Sequence, residues 1–386
     1  MRPPVKVWDV VLVGNFEPDG QISMLRYAEA LEVGLKERGH RVYTCSPQPF
    51  FFRLRKRARG VNKWLGYLDK YIIFPFVLRK RLAEIQKLSR TMVIHICDHS
   101  NALYYFYISS YCTIVTCHDA GAVKGALGML PDCPATYFGK LLQSWISAGL
   151  RRVDAIACVT KFSAQELDSL VMKGVKRTVR VVYNGFNRDF ESLKDKESRT
   201  LLSPWPALAE GRRYVLTVGS GLRRKNRAIV LQVLKKVWVQ LECYVVIAGE
   251  SLDEEILGLA RDLGIADRVI EVSRPDDWQL QALYRNAYAL LFPSRYEGFG
   301  WPIIEAQICG CPVLCGDNSA QPEVAGSGAW FRDSEDVEGF ASDLIRLENS
   351  DVRRHLVELG YLNARRFSMD KVVDSMEKLY GEVWAD

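Results

Sequence analysis

Several features that would place a chain outside the globular enzymes are missing from this sequence. No uninterrupted apolar run approaches the ~20 residues that a helix needs to cross a bilayer. Residues 1–9 lack the apolar core of a signal peptide and lead into a strand. The ten cysteines include no Cys-x-x-Cys pair, which favours reduced thiols over a disulfide framework. These absences predict a cytoplasmic globular protein.

Other absences narrow the chemistry. No Gly-x-Gly-x-x-Gly follows the first strand, which disfavours a dinucleotide oxidoreductase. Cys309, Cys311 and Cys315 lack a fourth ligand at a usual spacing, so we expect no metal cluster there. The net charge of +6 is mildly basic, and no nucleic-acid motif is present, so we expect no nucleic-acid partner.

What is present is a duplicated α/β pattern. A chain of 386 residues exceeds the size at which one core usually stops growing, so two domains are expected. An apolar strand at 5–13, a helix at 22–38 and a strand at 42–45 form a βαβ unit, which implies a parallel sheet. A polar stretch at 186–211 predicts an inter-domain linker. A second array begins with the strand 214–219 and continues with helices to the C-terminus.

The most informative stretch is 293–323. Two carboxylates, Glu297 and Glu305, stand eight positions apart and flank a Gly-Phe-Gly turn. Pro302 suits a first helical position, and Gly310 with Pro312 marks the end of a short helix. Because a buried strand is predicted just upstream, this stretch forms a strand, a glycine turn and a helix N-terminus. That arrangement favours an anion such as a diphosphate.

Two further loops carry candidate chemistry. Residues 219–227, Gly-Ser-Gly-Leu-Arg-Arg-Lys-Asn-Arg, follow the first strand of the second half and precede an apolar helix at 228–239. A glycine turn with clustered cations at a helix start suits a pyrophosphate. In the first half, His118 follows the strand 112–117. Open α/β sheets bind ligands at the carboxyl ends of their strands, so His118 is a candidate binding residue.

Together these stretches resemble the donor-sugar signature of retaining glycosyltransferases of family 4. The resemblance is strong over 210–367 and weaker but continuous over 5–190. It implies the α/β GT-B fold, in which two Rossmann-like, doubly wound parallel-sheet domains face a central cleft. The acceptor-side domain would be 1–190 with a crossover helix at 368–386, and the nucleotide-sugar domain would be 191–367.

The resemblance also implies roles for individual residues. Glu297 would face the transferred sugar, Glu305 would bind the ribose and Lys225 the diphosphate, while His118 would contact the sugar. Ser220 stands where many members have an arginine, so the second cation is either Arg223 or Arg224. The predicted catalytic residues are His118, Glu297, Lys225 and Arg224; the predicted donor-binding residues are Glu305, Gly20, Gly219, Ser220, Arg223, Arg274, Phe299 and Gly300.

The assignment of Gly20 departs from the family pattern, and that of Arg274 depends only on its position after a strand. Gly20 lies in the first phosphate-proximal loop, where the family has two adjacent glycines and this chain has Asp19 before Gly20. Arg274 follows the strand 269–273 and would lie beside the nucleotide base. The backbone N–H groups around Phe299 and Gly300 would meet the donor.

By resemblance, the chain would transfer a sugar with retention from a UDP- or GDP-linked donor to a glycan or lipid-linked acceptor, in polysaccharide or glycoconjugate synthesis. It contains no Asp-x-Asp motif, so no metal is expected, and cations and a helix N-terminus would offset the charge of the leaving diphosphate. Two alternatives remain open: a nucleotide-sugar epimerase on the same fold, and a non-catalytic glycosyltransferase-like binding subunit.

A basic and aromatic segment lies at 50–82. It holds ten basic residues, a single acid, Asp69, and eight interleaved aromatic residues. Cations that attract anionic headgroups, next to aromatic rings that insert between them, predict a peripheral contact with the inner face of a membrane. The alternative is that the aromatic residues are core and the cations a solvated face.

Overall fold

The computed structural model describes residues 6–54, 59–89, 91–186 and 195–385, together with Phe190 and Leu193. The chain divides into two compact units, Met1–Asn187 with Ser368–Asp386, and Arg188–Phe367. Each unit contains one six-stranded sheet whose strand pairs are all parallel. The prediction of two doubly wound α/β sheets is therefore confirmed.

The first sheet has the strand order β2-β1-β3-β4-β5-β6 and the second has β12-β11-β10-β7-β8-β9. The first strand begins at Asp9, whereas the start predicted for it, residue 5, lies outside the described residues. The strands are β1 (Asp9–Val13), β2 (Arg41–Cys45), β3 (Met92–Ile96), β4 (Thr113–Cys117), β5 (Ala155–Cys158), β6 (Thr178–Val181), β7 (Tyr214–Gly219), β8 (Tyr244–Gly249), β9 (Val269–Ser273), β10 (Ala289–Phe292), β11 (Val313–Gly316) and β12 (Ala329–Arg332).

Helices cover the sheets, and the last one returns to the first unit. The α-helices are α1 (Ile22–Glu37), α2 (Arg59–Leu68), α3 (Phe74–Gln86), α4 (Tyr105–Ile108), α5 (Gly121–Ala126), α6 (Tyr137–Leu150), α7 (Lys161–Leu167), α8 (Asp195–Leu201), α9 (Pro206–Ala209), α10 (Arg227–Leu241), α11 (Glu254–Asp262), α12 (Asp277–Asn286), α13 (Trp301–Ile308), α14 (Gln321–Ala325), α15 (Val337–Arg346), α16 (Ser350–Ala364) and α17 (Met369–Ala385).

The central strands are buried along their whole length. Every residue of β1, from Asp9 to Val13, is buried, as is every residue of β3, β4 and β5. Parallel strands with helices on both faces carry near-continuous apolar runs, which explains the apolar character of these segments. Among the described residues, no helix is long and apolar enough to cross a bilayer.

The chain passes from the first unit to the second after Asn187, within the predicted linker at 186–211, but part of that segment is folded. Two short helices, α8 and α9, lie within it, although residues 187–189, 191, 192 and 194 are outside the described part of the chain. Ser198 of α8 is buried and pairs with the Asn286 side chain, Nδ2 to Oγ at 3.0 Å. Leu202 and Leu208 are also buried. The described part of this segment therefore packs into the second unit, because its apolar residues are covered despite its polar composition.

Each sheet has one point where the strand order reverses. In the first sheet it lies between β1 and β3, and in the second between β7 and β10. Open α/β sheets bind ligands outside the carboxyl ends of the strands at such a point. The loops that follow β1 and β3, and those that follow β7 and β10, are therefore the places to look for a site in each unit.

Candidate active site

The loop after β7 is shaped by two unusual backbone conformations. Gly219 ends the strand at φ 153°, and Asn226 lies in the left-handed region at φ 55° directly before α10. Asparagine tolerates this region better than most residues, and its Nδ2 also donates to the Ser334 carbonyl at 2.8 Å. Between them, Arg223–Lys225 forms a 3₁₀ turn. The sequence Arg-Arg-Lys-Asn therefore folds into a tight cationic turn at the helix start.

The loop after β10 supplies the second half of this site. Gly300 lies at φ 96° and caps α13, which begins at Trp301 with Pro302 in its first turn. The predicted strand, glycine turn and helix are confirmed in that order. Glu297, Phe299 and Gly300 are all buried, and the Phe299 ring packs on the rings of Trp301 and Phe367. Burial of a carboxylate at the start of this turn requires cations beside it.

Those cations come from the loop after β7. Lys225 Nζ lies 2.6 Å from Glu297 Oε1, and Arg224 Nη1 lies 3.1 Å from Glu297 Oε2. Arg224 also donates to the Tyr296 carbonyl at 2.7 Å. Burial alone would raise the pKa of Glu297, but the charges of Lys225 and Arg224 outweigh it and lower that pKa below its ordinary value. The carboxylate is therefore ionised between two cations.

Only one of the two candidate arginines joins this cluster. Arg224 contacts Glu297, whereas Arg223 is exposed and pairs with Glu255 at 3.3 Å. Of the two, the geometry favours Arg224 as the second cation beside Lys225.

Glu305 is buried on α13, one turn after the glycine cap. Its Oε2 accepts a hydrogen bond from the Tyr284 hydroxyl at 2.8 Å. Tyr284 lies on α12, and no motif in the sequence connects it with Glu305, so sequence reasoning missed it. A buried, ionisable carboxylate held by a phenol is an oriented acceptor for hydroxyl groups.

Two other predicted donor residues lie at the carboxyl edge of the second sheet. Ser220 is half-buried and follows β7 directly. Arg274 is exposed at the end of β9, two strands away from β7, and lies in the left-handed region at φ 48°. Its backbone N–H donates to the Gly249 carbonyl at 2.7 Å. Arg274 thus lies at the same carboxyl edge of the sheet as Lys225, but it follows β9, whereas Lys225 follows β7.

In the first unit, His118 is buried directly after β4. Its Nε2 lies 2.9 Å from the Cys97 carbonyl oxygen, which can only accept, so Nε2 carries the proton. Burial lowers the pKa of His118, and the ring is therefore neutral near pH 7. Nδ1 is then an acceptor, and this buried atom has no hydrogen-bond partner. Such a buried acceptor atom requires a hydrogen-bond donor.

The reversal point of the first sheet holds a polar cluster that sequence reasoning missed. Asn15, after β1, donates to Asp98, after β3, at 2.6 Å, and Asn101 donates to Asn15 at 3.0 Å. Burial alone would raise the pKa of Asp98, but His99, His118 and Asn15 keep it lowered. Asp98 follows its strand as His118 follows β4, so the same positional rule could have found it.

Gly20 lies near this cluster in sequence but is exposed. It ends a 3₁₀ turn, Glu17–Asp19, at φ 69°. The neighbouring Asp19 carboxylate, which departs from the family pattern, accepts from Lys70 Nζ at 2.7 Å. The charge of Asp19 is therefore partly offset within the unit.

Metal ligands do not gather in the part of the chain that the structure describes. No group of three His, Cys, Asp or Glu side chains among those residues could hold a metal ion. All ten cysteines are free thiols, and Cys309, Cys311 and Cys315 are buried.

Comparison with known families agrees with this fold. The family model described as "Glycosyl transferases group 1" matches residues 199–362, and the model "Glycosyltransferase Family 4" matches residues 24–190. Together the two matches cover most of the chain. The chain belongs to the family 4 glycosyltransferases.

Individual relatives are more distant. N-acetyl-alpha-D-glucosaminyl L-malate synthase of Bacillus anthracis is 22% identical over 365 residues, which are 91% of this chain and 92% of that protein. O-antigen chain mannosyltransferase B of Escherichia coli is 25% identical over 60% of this chain and 61% of its own length. Both names describe glycosyl-transfer enzymes, so the comparison supports a transferase.

Solved structures show the same fold. Sucrose-phosphate synthase from Thermosynechococcus elongatus superposes with a TM-score of 0.75 at 18% identity, covering 98% of this chain and 99% of its own. Anabaena HepE in complex with UDP and glucose gives a TM-score of 0.72 at 14% identity, covering 97% and 100%. The fold is GT-B, as the resemblance implied.

Proposed function

We propose that this chain transfers a sugar from a nucleoside-diphosphate donor, UDP- or GDP-linked, to a glycan or lipid-linked acceptor with retention at the anomeric carbon. The observation that carries the proposal is the cluster of Lys225, Arg224 and Glu297 at the reversal point of the second sheet. The HepE complex with UDP and glucose supports a donor of this class.

Each site residue has a role that follows from its chemistry. Lys225 and Arg224 stabilise the negative charge that develops on the leaving diphosphate, and the α13 N-terminus adds to that stabilisation. Glu305, oriented by Tyr284, accepts hydrogen bonds from the ribose hydroxyls. Glu297 and the Nδ1 of His118 orient the transferred sugar through its hydroxyl groups. Arg274 and Ser220 contact the donor at the periphery of this set, and Gly20 allows backbone to approach it.

The donor site is tested by two substitutions. Losing a hydrogen bond to a charged group costs roughly 1.5–3 kcal/mol, which is about ten- to a hundred-fold in affinity. Glu305→Gln and Lys225→Ala should therefore weaken the binding of UDP or GDP by that factor in calorimetry. Arg223→Ala is the matched control, because Arg223 is exposed outside the cluster, and it should bind nearly as the parent does. Unchanged affinity in both test variants would contradict the assignment.

Transfer must also be distinguished from the alternatives. A nucleotide-sugar epimerase would convert its donor in the absence of any acceptor, and a non-catalytic subunit would bind without turnover. Incubation with UDP- and GDP-sugars, with and without added glycans, followed by product analysis separates the three. We expect acceptor-dependent release of the nucleoside diphosphate.

We further propose that the reaction requires no metal. The missing Asp-x-Asp motif motivates this, because Lys225 and Arg224 can supply the positive charge that a bridging cation provides elsewhere. Activity should persist after dialysis against EDTA. Loss of turnover that magnesium or manganese restores would overturn the proposal.

The contact of residues 50–82 with an anionic membrane belongs to the same proposal. Arg55, Lys56 and Arg57 lie outside the described residues, and the side chains of Arg59 and Lys63 are not described either. Arg53, Arg79, Lys80 and Arg81 are exposed, which supports a cationic surface. Phe74 and Pro75 are buried, so that part of the segment belongs to the core.

A further inference from the structure

The helix that runs from α2 into α3 is apolar on two opposite faces. A π-helical turn, Asp69–Ile73, joins the two helices. One face, with Phe74, Leu78 and Leu82, is buried in the core of the first unit. The other face exposes Trp64, Leu68, Ile72 and Phe76, each four residues after the last, with Trp64 59% and Phe76 66% exposed. A surface helix ordinarily places polar residues on its outer face, so an exposed apolar stripe on that face is unusual and needs an explanation.

A second exposed stripe lies on α6, more than 60 residues further along the chain. Tyr137, Leu141 and Trp145 follow the same four-residue spacing, and Trp145 is 59% exposed. The opposite face of α6, with Ile146 and Leu150, is buried. Nothing in the sequence pattern connects this helix with residues 50–82.

The two stripes meet. The Phe138 ring lies 5.4 Å from the Trp64 ring and 5.6 Å from the Tyr67 ring, measured between centroids. The stripe of α2 and α3 thus meets the stripe of α6 at Phe138, and we call the two stripes together the two-helix apolar face. Exposed apolar surface of this extent marks an interaction site.

The charge around this face indicates what kind of partner it binds. Over α2 and α3, residues 59–86, the acids are Asp69 and Glu84, and between 133 and 150 there is none. Asp69 is buried and accepts from the backbone N–H groups of Phe51 and Phe52, so it does not face solvent. Exposed cations lie on the same helices, namely Arg79, Lys80, Arg81 and Lys140. Glu84 is exposed and pairs with Arg81 at 3.5 Å, and the exposed cations outnumber it, so the described part of the face is apolar with a net positive charge.

This charge pattern disfavours a second copy of the chain. A two-fold contact would bring the same net positive surface against itself, and Glu84, the one exposed acid on the described residues of these helices, already pairs with Arg81. An anionic lipid bilayer complements both features, because headgroups attract the cations while Trp and Tyr rings enter the interface. We propose that the two-helix apolar face inserts into the surface of an anionic bilayer, with α6 inserted beside α2 and α3.

This inference deepens the membrane contact proposed for residues 50–82 and rests on it. It adds that the inserted part includes α6. The experiment must therefore report on α6 directly, and it must not depend on glycosyl transfer.

Tryptophan quenching provides that report. The full chain is mixed at low salt with phosphatidylglycerol vesicles that contain a phosphatidylcholine brominated on its acyl chains. We expect quenching of the intrinsic fluorescence, reduced in Trp145→Phe and in Trp64→Phe. Trp278→Phe is the matched control, because Trp278 is 52% exposed on α12 of the second unit, and it should leave the quenching unchanged.

Co-sedimentation with the same vesicles, without bromine, measures affinity. Leu141→Ser with Trp145→Ser removes much of the α6 stripe and should weaken binding by roughly tenfold or more. Val239→Ser with Trp278→Ser replaces two exposed apolar residues of the second unit and should bind as the parent does. Donor hydrolysis in lipid-free solution should be equal in all of these proteins, which shows that they are folded.

Three outcomes would overturn the inference. Absence of binding to anionic vesicles at low salt would remove the membrane contact altogether. If the chain binds vesicles but neither Trp145→Phe nor the α6 variant changes the result, then residues 50–82 make the membrane contact without α6. A concentration-dependent dimer that the α6 variant abolishes, without vesicle binding, would identify the face as a contact between copies. In each case, donor hydrolysis would still test the proposed transferase separately.

Discussion

At the scale of single residues, the negative charge of Glu297 is offset by the positive charges of Lys225 and Arg224. The buried carboxylate is stable there only because Lys225 and Arg224 bond its two oxygens. The same two cations are the proposed ligands of the donor diphosphate. Glu297 therefore competes with the diphosphate for them, while its proposed role toward the sugar remains distinct.

This competition predicts opposite effects on binding and on transfer. In Glu297→Gln the cations lose their anionic partner, so UDP or GDP without sugar should bind no weaker than to the parent, and up to about tenfold tighter, which is ~1.4 kcal/mol. Transfer should fall, because the amide does not orient the sugar hydroxyls as the carboxylate does. Calorimetry and acceptor-dependent release of nucleotide measure the two effects. Weaker binding of the plain nucleotide would refute the competition.

The positions of several site residues could be predicted from the sequence, and those of others could not. Glu297 and Lys225 stand in local motifs that fix which loop they occupy, and Glu305 stands in the helix that follows the first of these loops; the structure places all three there. The choice between Arg224 and Arg223 depended on which way each side chain turns, which local sequence does not determine. Tyr284 is separated from Glu305 by 21 residues, so only packing brings them together.

At the scale of elements, the loop after β7 depends on close backbone contact with β8. Gly219 and Gly249 are direct partners in the sheet, and both have positive φ angles. A Cβ on Gly249 would overlap the Gly219 carbonyl oxygen, which also accepts from Arg227 Nη2 at 2.9 Å. The position of the cationic turn thus rests on a glycine in the neighbouring strand.

Gly249→Ala should therefore displace the loop that carries Lys225. We expect the affinity for UDP or GDP to fall by about tenfold or more, beyond the roughly 1–2 kcal/mol of stability that an alanine at positive φ costs. Gly264→Ala is the control, because Gly264 has φ +66° with open space around its Cα, so only the backbone cost applies. Thermal unfolding and calorimetry of both variants test this. Equal nucleotide affinity in the two variants would contradict it.

Element prediction succeeded where the hydrophobic pattern was strong. The strands and helices around the site begin and end within a few residues of the predicted bounds, because buried parallel strands and glycine turns leave clear local patterns. For the segment 50–82 the sequence allowed two interpretations, an exposed surface for a membrane or an aromatic core, and the structure has features of both. Its helix is apolar on two faces, one buried and one exposed, and composition alone cannot distinguish such a helix from a fully buried one.

At the scale of the whole molecule, the C-terminal helix α17 is tied to the first sheet by buried polar bonds. His95 Nδ1 lies 2.8 Å from the Tyr380 hydroxyl, and His95 Nε2 lies 2.7 Å from Thr116 Oγ1. Tyr27 on α1 bonds the same Thr116 oxygen at 2.9 Å, and its ring packs edge-on against His118. This chain of bonds joins α1, α17, β3 and β4 next to a proposed sugar-binding histidine.

The network makes stability depend on pH. Burial lowers the pKa of His95 from 6.5 to about 3, so the folded chain keeps this ring neutral while the unfolded chain protonates it. Between those two values the unfolded state binds more protons, and stability falls as pH falls below about 6.5. At pH 5.5 the loss from His95 is roughly 1.4 kcal/mol, or one pKa unit.

Replacing His95 should therefore flatten the pH dependence. His95→Gln removes the titrating group, so its Tm should be lower than the parent's at pH 7.5 but should fall less between pH 7.5 and pH 5.5. The parent should lose an additional few degrees over that interval, at roughly 2–4 °C per kcal/mol. His355→Gln removes an exposed histidine on α16 and should keep the parent's pH dependence. A His95→Gln variant whose Tm falls as steeply as the parent's would show that this buried network does not set the acid stability of the chain.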